Sequence, residues 1–149
     1  MNNITIVLAT DHAGFDLKEY VKKYLSNLNY DIKDFGAFEY ESKDDYPDFI
    51  NPAAKFISEN DNTMGIIFGG SGQGEAMAAN RFKGVRAAVF YGGSDKIIEL
   101  SRLHNDANVL SFGSRFVEPE DAIDLIEKWL KIEFEGGRHQ QRIEKLDSH

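Results

Sequence analysis

Short β-rich runs alternate with longer stretches of helical periodicity along this sequence. Residues 4–9, 30–35, 64–68, 85–90 and 108–112 are predicted as strands, since each run is either continuously apolar or alternating and rich in β-branched residues. The predicted helices cover residues 15–28, 47–58, 75–82, 94–104 and 119–134, and 138–146 form a further short helix. Five strands that each precede a helix predict a five-stranded parallel sheet with helices on both faces, a three-layer α/β/α fold.

Composition limits the partners of such a fold. The 149 residues are expected to form one domain, residues 1–149, with a C-terminal tail at 136–149 that packs on a partner subunit. The chain has 17 basic and 25 acidic residues, a formal charge of −8, which disfavours nucleic acid and anionic membranes as partners. An anionic substrate therefore needs a local cluster of cations.

Two absences narrow the classes of function further. The sequence contains no cysteine, which excludes a disulfide framework, a thiolate metal site and a cysteine base. No stretch approaches the ~20 apolar residues of a membrane helix, and the first residues lack the features of a signal peptide. We therefore expect a soluble, cytoplasmic protein.

A glycine-rich loop after the third predicted strand is the strongest local signal. It reads Gly69-Gly70-Ser71-Gly72-Gln73-Gly74 and leads into a predicted helix, a context in which backbone N–H groups can face an anion. The loop lacks the Gly-Lys-Ser/Thr ending of a nucleotide P-loop, and a Rossmann fingerprint would follow the first strand. The alternative is a tight turn without a ligand.

Two acidic positions are expected at the same edge of the sheet as this loop. Glu75 follows the glycines directly, where a carboxylate either compensates the helix dipole or acts as a general base beside anion-binding amides. Asp11 and His12 follow the first strand, and the carboxyl ends of parallel strands share one edge. Asp11 could instead serve only as a helix cap, and His12 could be an ordinary loop residue.

Cations that could bind phosphate lie late in the chain. Arg138 and Arg142 are four residues apart and share a helix face, and Arg115 follows the fifth strand. His104 ends the fourth helix, which returns to the opposite sheet edge from the glycine loop. If His104 joins the site at the loop, it comes from a second subunit, which predicts a two-fold dimer.

Taken in order, these motifs resemble the ribose-5-phosphate isomerase B family, which also contains the galactose-6-phosphate isomerase subunits. The resemblance runs from residue 4 to about residue 144. The segments that carry it are Ala9-Thr10-Asp11-His12-Ala13-Gly14-Phe15, Gly70-Ser71-Gly72-Gln73-Gly74-Glu75, Ala78-Ala79-Asn80-Arg81, His104-Asn105-Asp106-Ala107-Asn108, Gly113-Ser114-Arg115 and Glu135-Gly136-Gly137-Arg138-His139-Gln140-Gln141-Arg142.

The resemblance implies a Rossmann-like α/β/α fold, a homodimer or tetramer with a shared active site, and no metal or cofactor. It implies interconversion of ribose 5-phosphate and ribulose 5-phosphate through a cis-enediolate. One branch of the family uses a cysteine at the end of the third strand as the base, and that position is Gly69 here. The other branch uses a glutamate directly after the glycine loop, which matches Glu75.

The resemblance also implies a role for each candidate residue. His104 of the neighbouring chain would protonate the ring oxygen, and Asp11 would accept the hydroxyl proton as the sugar opens. Glu75 would move the proton from C2 to C1, and Ser71 would help the proton pass between O2 and O1. The backbone amides of Gly70, Ser71, Gly72, Gln73 and Gly74 would bind the enediolate. Asn105 would contact the sugar. The phosphate would be bound by His12, Arg115, Arg138 and Arg142.

Three alternatives stay open at this point. The substrate could be a six-carbon aldose phosphate, such as allose 6-phosphate or galactose 6-phosphate, since the sequence does not reveal the length of the pocket. The chain could be a nucleotide-binding α/β domain, which would use the glycine loop but leave Asp11, Glu75 and the arginines unexplained. It could also be a non-catalytic assembly protein.

Overall fold

A computed structural model describes residues 3–149 and contains five strands and six α-helices in these residues. The strands are β1 (Thr5–Thr10), β2 (Asp31–Asp34), β3 (Thr63–Gly69), β4 (Ala87–Phe90) and β5 (Val109–Gly113). The helices are α1 (Phe15–Asn27), α2 (Pro47–Glu59), α3 (Gln73–Ala79), α4 (Asp95–Leu103), α5 (Pro119–Lys131) and α6 (Arg138–Glu144). Every predicted strand and helix is therefore present.

The five strands form one parallel sheet in the order β2-β1-β3-β5-β4. Apolar clusters lie on both faces of the sheet. One joins the sheet to α1, α4 and α5 around Trp129, and the other joins it to α2 and α3 around Ile50. Because β1 is covered on both faces, Ile6 through Ala9 are all fully buried, which explains the uninterrupted apolar run in the sequence. The predicted three-layer α/β/α fold is confirmed.

Local signals account for several of the helix starts. The Ser94 hydroxyl accepts a hydrogen bond from the Lys96 N–H at 3.1 Å and caps α4, at the residue where the predicted helix begins. Pro47 and Pro119 begin α2 and α5, where the missing N–H costs no intrahelical bond.

Some boundaries differ from the prediction. α3 begins at Gln73 rather than at Glu75, so Gln73 and Gly74 belong to a helical turn and not to the loop. α5 ends at Lys131 rather than at residue 134, since the backbone turns extended at Ile132. Across residues 3–149, no helix has the length and apolar character that crossing a bilayer requires.

The strand order also shows where a ligand can enter. The chain moves from β1 outward to β2 on one side and then returns to place β3 on the other side. The connections that leave β1 and β3 therefore diverge, and the carboxyl ends of these two strands are the position at which open α/β sheets form a ligand-binding crevice. Asp11 follows β1 and the glycine loop follows β3, so both border this crevice.

Candidate active site

Glu75 is buried at the start of α3, with 4% of its surface exposed. Its carboxylate fills the space above Gly69, and a Cβ on that glycine would overlap all three carboxylate atoms. Burial raises the pKa of Glu75, and the nearby Asp11 carboxylate raises it further, while the backbone N–H of Glu75 opposes the shift. A carboxylate with a raised pKa is a stronger base when ionised, as a general base requires.

The glycine loop is held tightly against the end of β5. The buried Ser111 hydroxyl donates a hydrogen bond to the Gly72 carbonyl at 2.7 Å. A Cβ on Gly113 would lie 2.6 Å from the Ser71 carbonyl oxygen, so the close approach needs glycine there. Gly72 itself has φ +80°, a conformation that favours glycine. This packing holds the Ser71 side chain at the surface beside the first turn of α3.

Asp11 has the capping role that one interpretation of the sequence assigned to it. Its Oδ1 accepts a hydrogen bond from the Ala13 N–H at 2.9 Å and starts a short 3-10 turn, His12–Gly14, that leads into α1. The same carboxylate is 7% exposed and lies close enough to Glu75 and His12 to raise the pKa of both. Asp11 therefore caps the turn and also lies in the crevice near Glu75.

His12 is fixed by an acidic side chain from the loop after β2. Asp44 Oδ1 accepts hydrogen bonds from the His12 backbone N–H at 3.0 Å and from Nδ1 at 2.7 Å. The hydrogen bond with Asp44 raises the pKa of His12, and the Asp11 charge adds to this effect. Because Nδ1 is engaged, Nε2 is the nitrogen left to bind a ligand.

Arg115 completes the group at this sheet edge. Its backbone N–H donates to the Gly70 carbonyl at 3.2 Å, and a Cβ on Gly70 would lie 3.0 Å from the guanidinium carbon of Arg115. The guanidinium therefore lies over the glycine loop, and its charge lowers the pKa of His12, although the other contributions outweigh it. An arginine and a histidine with a raised pKa thus lie at the same edge of the sheet as the buried Glu75 carboxylate.

The remaining candidates form a second group at the opposite sheet edge. His104 follows α4, and its ring stacks on His139 of α6 with 4.2 Å between centroids and 15° between planes. The charges of Arg138 and Arg142 act on His139, so both arginines lie near this pair. The exposed Asn105 follows His104 directly. β5 separates the two groups within one chain, and its five residues span about 16 Å.

The acidic residues near Arg138 and Arg142 are engaged elsewhere. Glu144 accepts a hydrogen bond from Gln140 at 2.9 Å, and Asp147 accepts one from the Gly84 N–H at 2.8 Å. Within residues 3–149, no carboxylate oxygen lies within 4.0 Å of a nitrogen of either guanidinium. Both arginines are exposed and able to bind an anion.

Known proteins are similar to this chain in sequence and in fold. A family model described as Ribose/Galactose Isomerase matches residues 6–146. The chain belongs to the ribose/galactose isomerase family. The probable ribose-5-phosphate isomerase B of Mycoplasma pneumoniae is 42% identical over 97% of this chain and 93% of its own length. Ribose-5-phosphate isomerase B of Escherichia coli K12 is 39% identical over 95% of this chain and 93% of its own.

A solved structure of the same family is also similar. Ribose-5-phosphate isomerase B of Mycoplasma genitalium with bound ribulose-5-phosphate has a TM-score of 0.92 and 40% identity, and the match covers 98% of this chain and 95% of that one. This isomerase-family chain therefore shares its whole architecture with an enzyme that binds a sugar phosphate.

Sequence reasoning missed two residues of this isomerase-family site. Asp44 lies in an acidic loop, and no local pattern distinguishes it from the neighbouring Asp45 as the partner of His12. From the sequence alone, His139 is assigned no role beyond its place in a motif, although it is the one side chain of α6 that is buried. A single histidine facing the chain on an otherwise polar helix is the signal that could have identified it.

Proposed function

We propose that this chain interconverts ribose 5-phosphate and ribulose 5-phosphate. The observation that carries the proposal is the buried Glu75 carboxylate beside the glycine loop, in a chain whose relatives are named ribose-5-phosphate isomerase B. The C2 proton of an aldose is weakly acidic, so its removal requires a positioned base and groups that stabilise the enediolate. Glu75 and the adjacent loop amides meet these two needs.

The isomerisation transfers one proton between neighbouring carbons. Glu75 removes the proton from C2 of the open-chain aldose, and the electron pair of that bond forms the C1–C2 double bond of the cis-enediolate. Amides of residues 70–74 stabilise the negative charge on O1. The O2 proton passes to O1 with help from Ser71, and Glu75 returns its proton to C1, which leaves a ketone at C2.

Ring opening requires a second copy of the chain. His104 of that copy protonates the furanose ring oxygen, and Asp11 accepts the proton of the C1 hydroxyl. The separation of the two groups across the sheet supports this assignment, because one chain does not bring His104 to the crevice at Glu75. A two-fold dimer supplies both groups to each of two sites.

The same geometry supports our proposal for the phosphate-binding residues. His12 and Arg115 border the crevice in one chain, while Arg138 and Arg142 lie near His104 and arrive with the partner. The sugar contact Asn105 follows His104 in the sequence and arrives with it. The phosphate then lies between cations of two subunits, which explains how a chain with a formal charge of −8 binds a dianion.

The test is a coupled assay of ribose 5-phosphate isomerisation with the Glu75→Gln variant. We expect kcat to fall about 10²–10⁴-fold, since the amide cannot accept the proton, while the unfolding midpoint and sugar-phosphate binding are retained. The matched control is Glu120→Gln, which removes an exposed carboxylate from the first turn of α5. Near-normal turnover by Glu75→Gln would disprove the base assignment.

The same assay with allose 6-phosphate and galactose 6-phosphate defines the substrate. A five-carbon preference predicts that kcat/KM is highest for ribose 5-phosphate. A higher value for a six-carbon aldose phosphate would assign the chain to that substrate instead and leave the role of Glu75 unchanged.

A further inference from the structure

His139 is buried on a helix that otherwise faces solvent. It is 6% exposed, whereas Arg138, Gln140 and Arg142 of the same helix are exposed. Its ring lies flat against His104, with the planes 15° apart. The Glu135 N–H donates to the Leu103 carbonyl at 3.0 Å and holds the start of this segment against the end of α4. The packing of α6 on its own chain therefore centres on one pair of imidazoles.

The surroundings of His139 lower its pKa. Burial lowers the pKa of His139, and the positive charges of His104, Arg138 and Arg142 lower it further, while Glu135 acts in the opposite direction. Its buried Nε2 has no hydrogen-bond partner within residues 3–149. Glu135 Oε1 lies 3.7 Å from this nitrogen, and the lowered pKa favours the neutral form of the ring beside His104.

A shared metal ion does not account for this cluster. Ligand atoms of His104, Glu135 and His139 lie within 4.8 Å of one another. A metal lies near the plane of each imidazole that binds it, at about 2.1 Å from the nitrogen. Two nearly parallel rings whose centroids are 4.2 Å apart offer no such common point. The stacked arrangement is instead suited to fix the orientation of a ring.

We propose that His139 is a positioning residue for His104, holding the plane of the His104 ring so that its N–H points at the ring oxygen of a sugar bound to the partner subunit. The inference rests on the proposed role of His104 in ring opening. His104 follows the last turn of α4 and is only partly buried, so stacking on one face restricts rotation about its Cβ–Cγ bond. Small errors in the placement of a catalytic group can cost about 10²-fold in rate.

The test separates ring opening from proton transfer. Ribulose 5-phosphate is open-chain, since its 5-hydroxyl is esterified and cannot close a furanose ring. Exchange of its C1 hydrogen with D2O, followed by NMR, therefore requires Glu75 and not ring opening. Turnover of ribose 5-phosphate requires both steps. The variants are His139→Ala, which removes the stacking ring, and His139→Phe, which retains an aromatic face.

We expect His139→Ala to lower ribose 5-phosphate turnover by about tenfold or more while C1 exchange stays within about threefold of wild type. His139→Phe should recover most of the lost turnover. Unchanged turnover in His139→Ala would overturn the inference, as would a parallel fall in turnover and exchange, which indicates general structural damage. An equal loss of turnover in His139→Phe and His139→Ala would also overturn it, since the aromatic face would then be irrelevant.

Failure of the proposed function gives a different result. In that case the wild-type protein neither turns over ribose 5-phosphate nor exchanges the C1 hydrogen. If the wild type does both and His139→Ala turns over ribose 5-phosphate at the wild-type rate, the proposed function stands and the positioning role of His139 is wrong.

Discussion

At the scale of single residues, the candidate site depends on small side chains that leave room for reactive ones. Gly69 leaves the space that the Glu75 carboxylate occupies, so this carboxylate lies at the end of β3 although Glu75 belongs to α3. Burial there raises the pKa of Glu75. Asp44 has a complementary effect on His12, whose pKa it raises through a hydrogen bond. The two contacts thus raise the pKa of a carboxyl group and of an imidazole, as the proposed roles of Glu75 and His12 require.

Asp44→Asn should lower the pKa of His12 toward its ordinary value of about 6.5, because the hydrogen bond to a carboxylate is lost. The His12 ring proton followed by NMR as the pH is varied measures this. The folded-state pKa of His12 exceeds the unfolded value, so its stabilising contribution is present below the unfolded pKa and is lost as pH rises through the folded one. The difference in unfolding free energy between wild type and Asp44→Asn should therefore be larger between about pH 5 and 6, where Asp44 is ionised and His12 is protonated, than above the folded-state pKa of His12.

Asp45→Asn is the matched control for this titration, since it removes the adjacent exposed carboxylate. A His12 pKa that moves equally in both variants, or in neither, would contradict the specific role of Asp44.

At the scale of elements, a buried ion pair anchors the loop that carries Asp44. Asp34 at the end of β2 accepts hydrogen bonds from the Lys18 ammonium at 2.6 Å, the Lys22 ammonium at 2.9 Å and the Gly36 N–H at 2.8 Å. Burial opposes ionisation of Asp34, but these three donors outweigh it and lower its pKa. The network thus joins α1, β2 and the first residues of the loop.

Lys18→Met should lower the free energy of unfolding by about 2–4 kcal/mol at neutral pH. Lys18 is fully buried, and its removal leaves Asp34 with the partly exposed Lys22 as its remaining cation. Urea unfolding measures the loss. Since the pKa of Asp34 is depressed, its stabilising contribution is lost as pH falls through the folded-state pKa, and the difference between the proteins should shrink in acid.

Lys22→Met serves as the comparison, with an expected cost below about 1 kcal/mol, because this side chain is 38% exposed and solvent screens its charge. Equal losses of unfolding free energy in Lys18→Met and Lys22→Met would contradict the prediction that the buried lysine contributes more to stability.

Element prediction succeeded where the signal is local and failed where it is not. Ser94, Pro47 and Pro119 identified three helix starts from neighbouring residues alone. The start of α3 was placed two residues too late, because glycines suggest a loop, while the packing of Gly72 and Gly74 against other segments decides where the helix begins. A Cβ on Gly74 would lie 2.6 Å from the Tyr46 hydroxyl oxygen, and the sequence pattern does not reveal this close approach.

At the scale of the whole molecule, the candidate residues divide between two sheet edges. Glu75 and Asp11 lie at the carboxyl ends of the strands, and His104 lies beyond the other end of β5 with Arg138 and Arg142 beside it. Exposed apolar side chains occur near the first group, including Met77 on α3 and Phe38 on the loop after β2. The proposed function requires His104 of a second copy at the crevice, and these exposed side chains are candidates for the contact between the two copies.

Mixing two inactive variants tests this arrangement. Glu75→Gln and His104→Ala, combined at equal concentration and allowed to exchange subunits, should recover about one quarter of wild-type activity. Half of the dimers are then mixed, and each mixed dimer has one intact site out of two. The coupled isomerisation assay measures the recovery.

The control is a mixture of Glu75→Gln with the double variant Glu75→Gln/His104→Ala, which contains no intact site. Absence of recovery in the first mixture, with subunit exchange shown by co-purification of differently tagged chains, would argue against a site shared between subunits.

By itself, the sequence determined the α/β/α fold, the family and the identity of most candidate residues. Hydrophobic periodicity and short motifs are properties of neighbouring residues, and they can be recognised without the fold. Only the tertiary structure decided that Arg138 and Arg142 lie with His104, that Asp44 rather than Asp45 holds His12, and that His139 is buried. These contacts join segments distant in the chain, and no local pattern specifies which side chains meet when the segments pack.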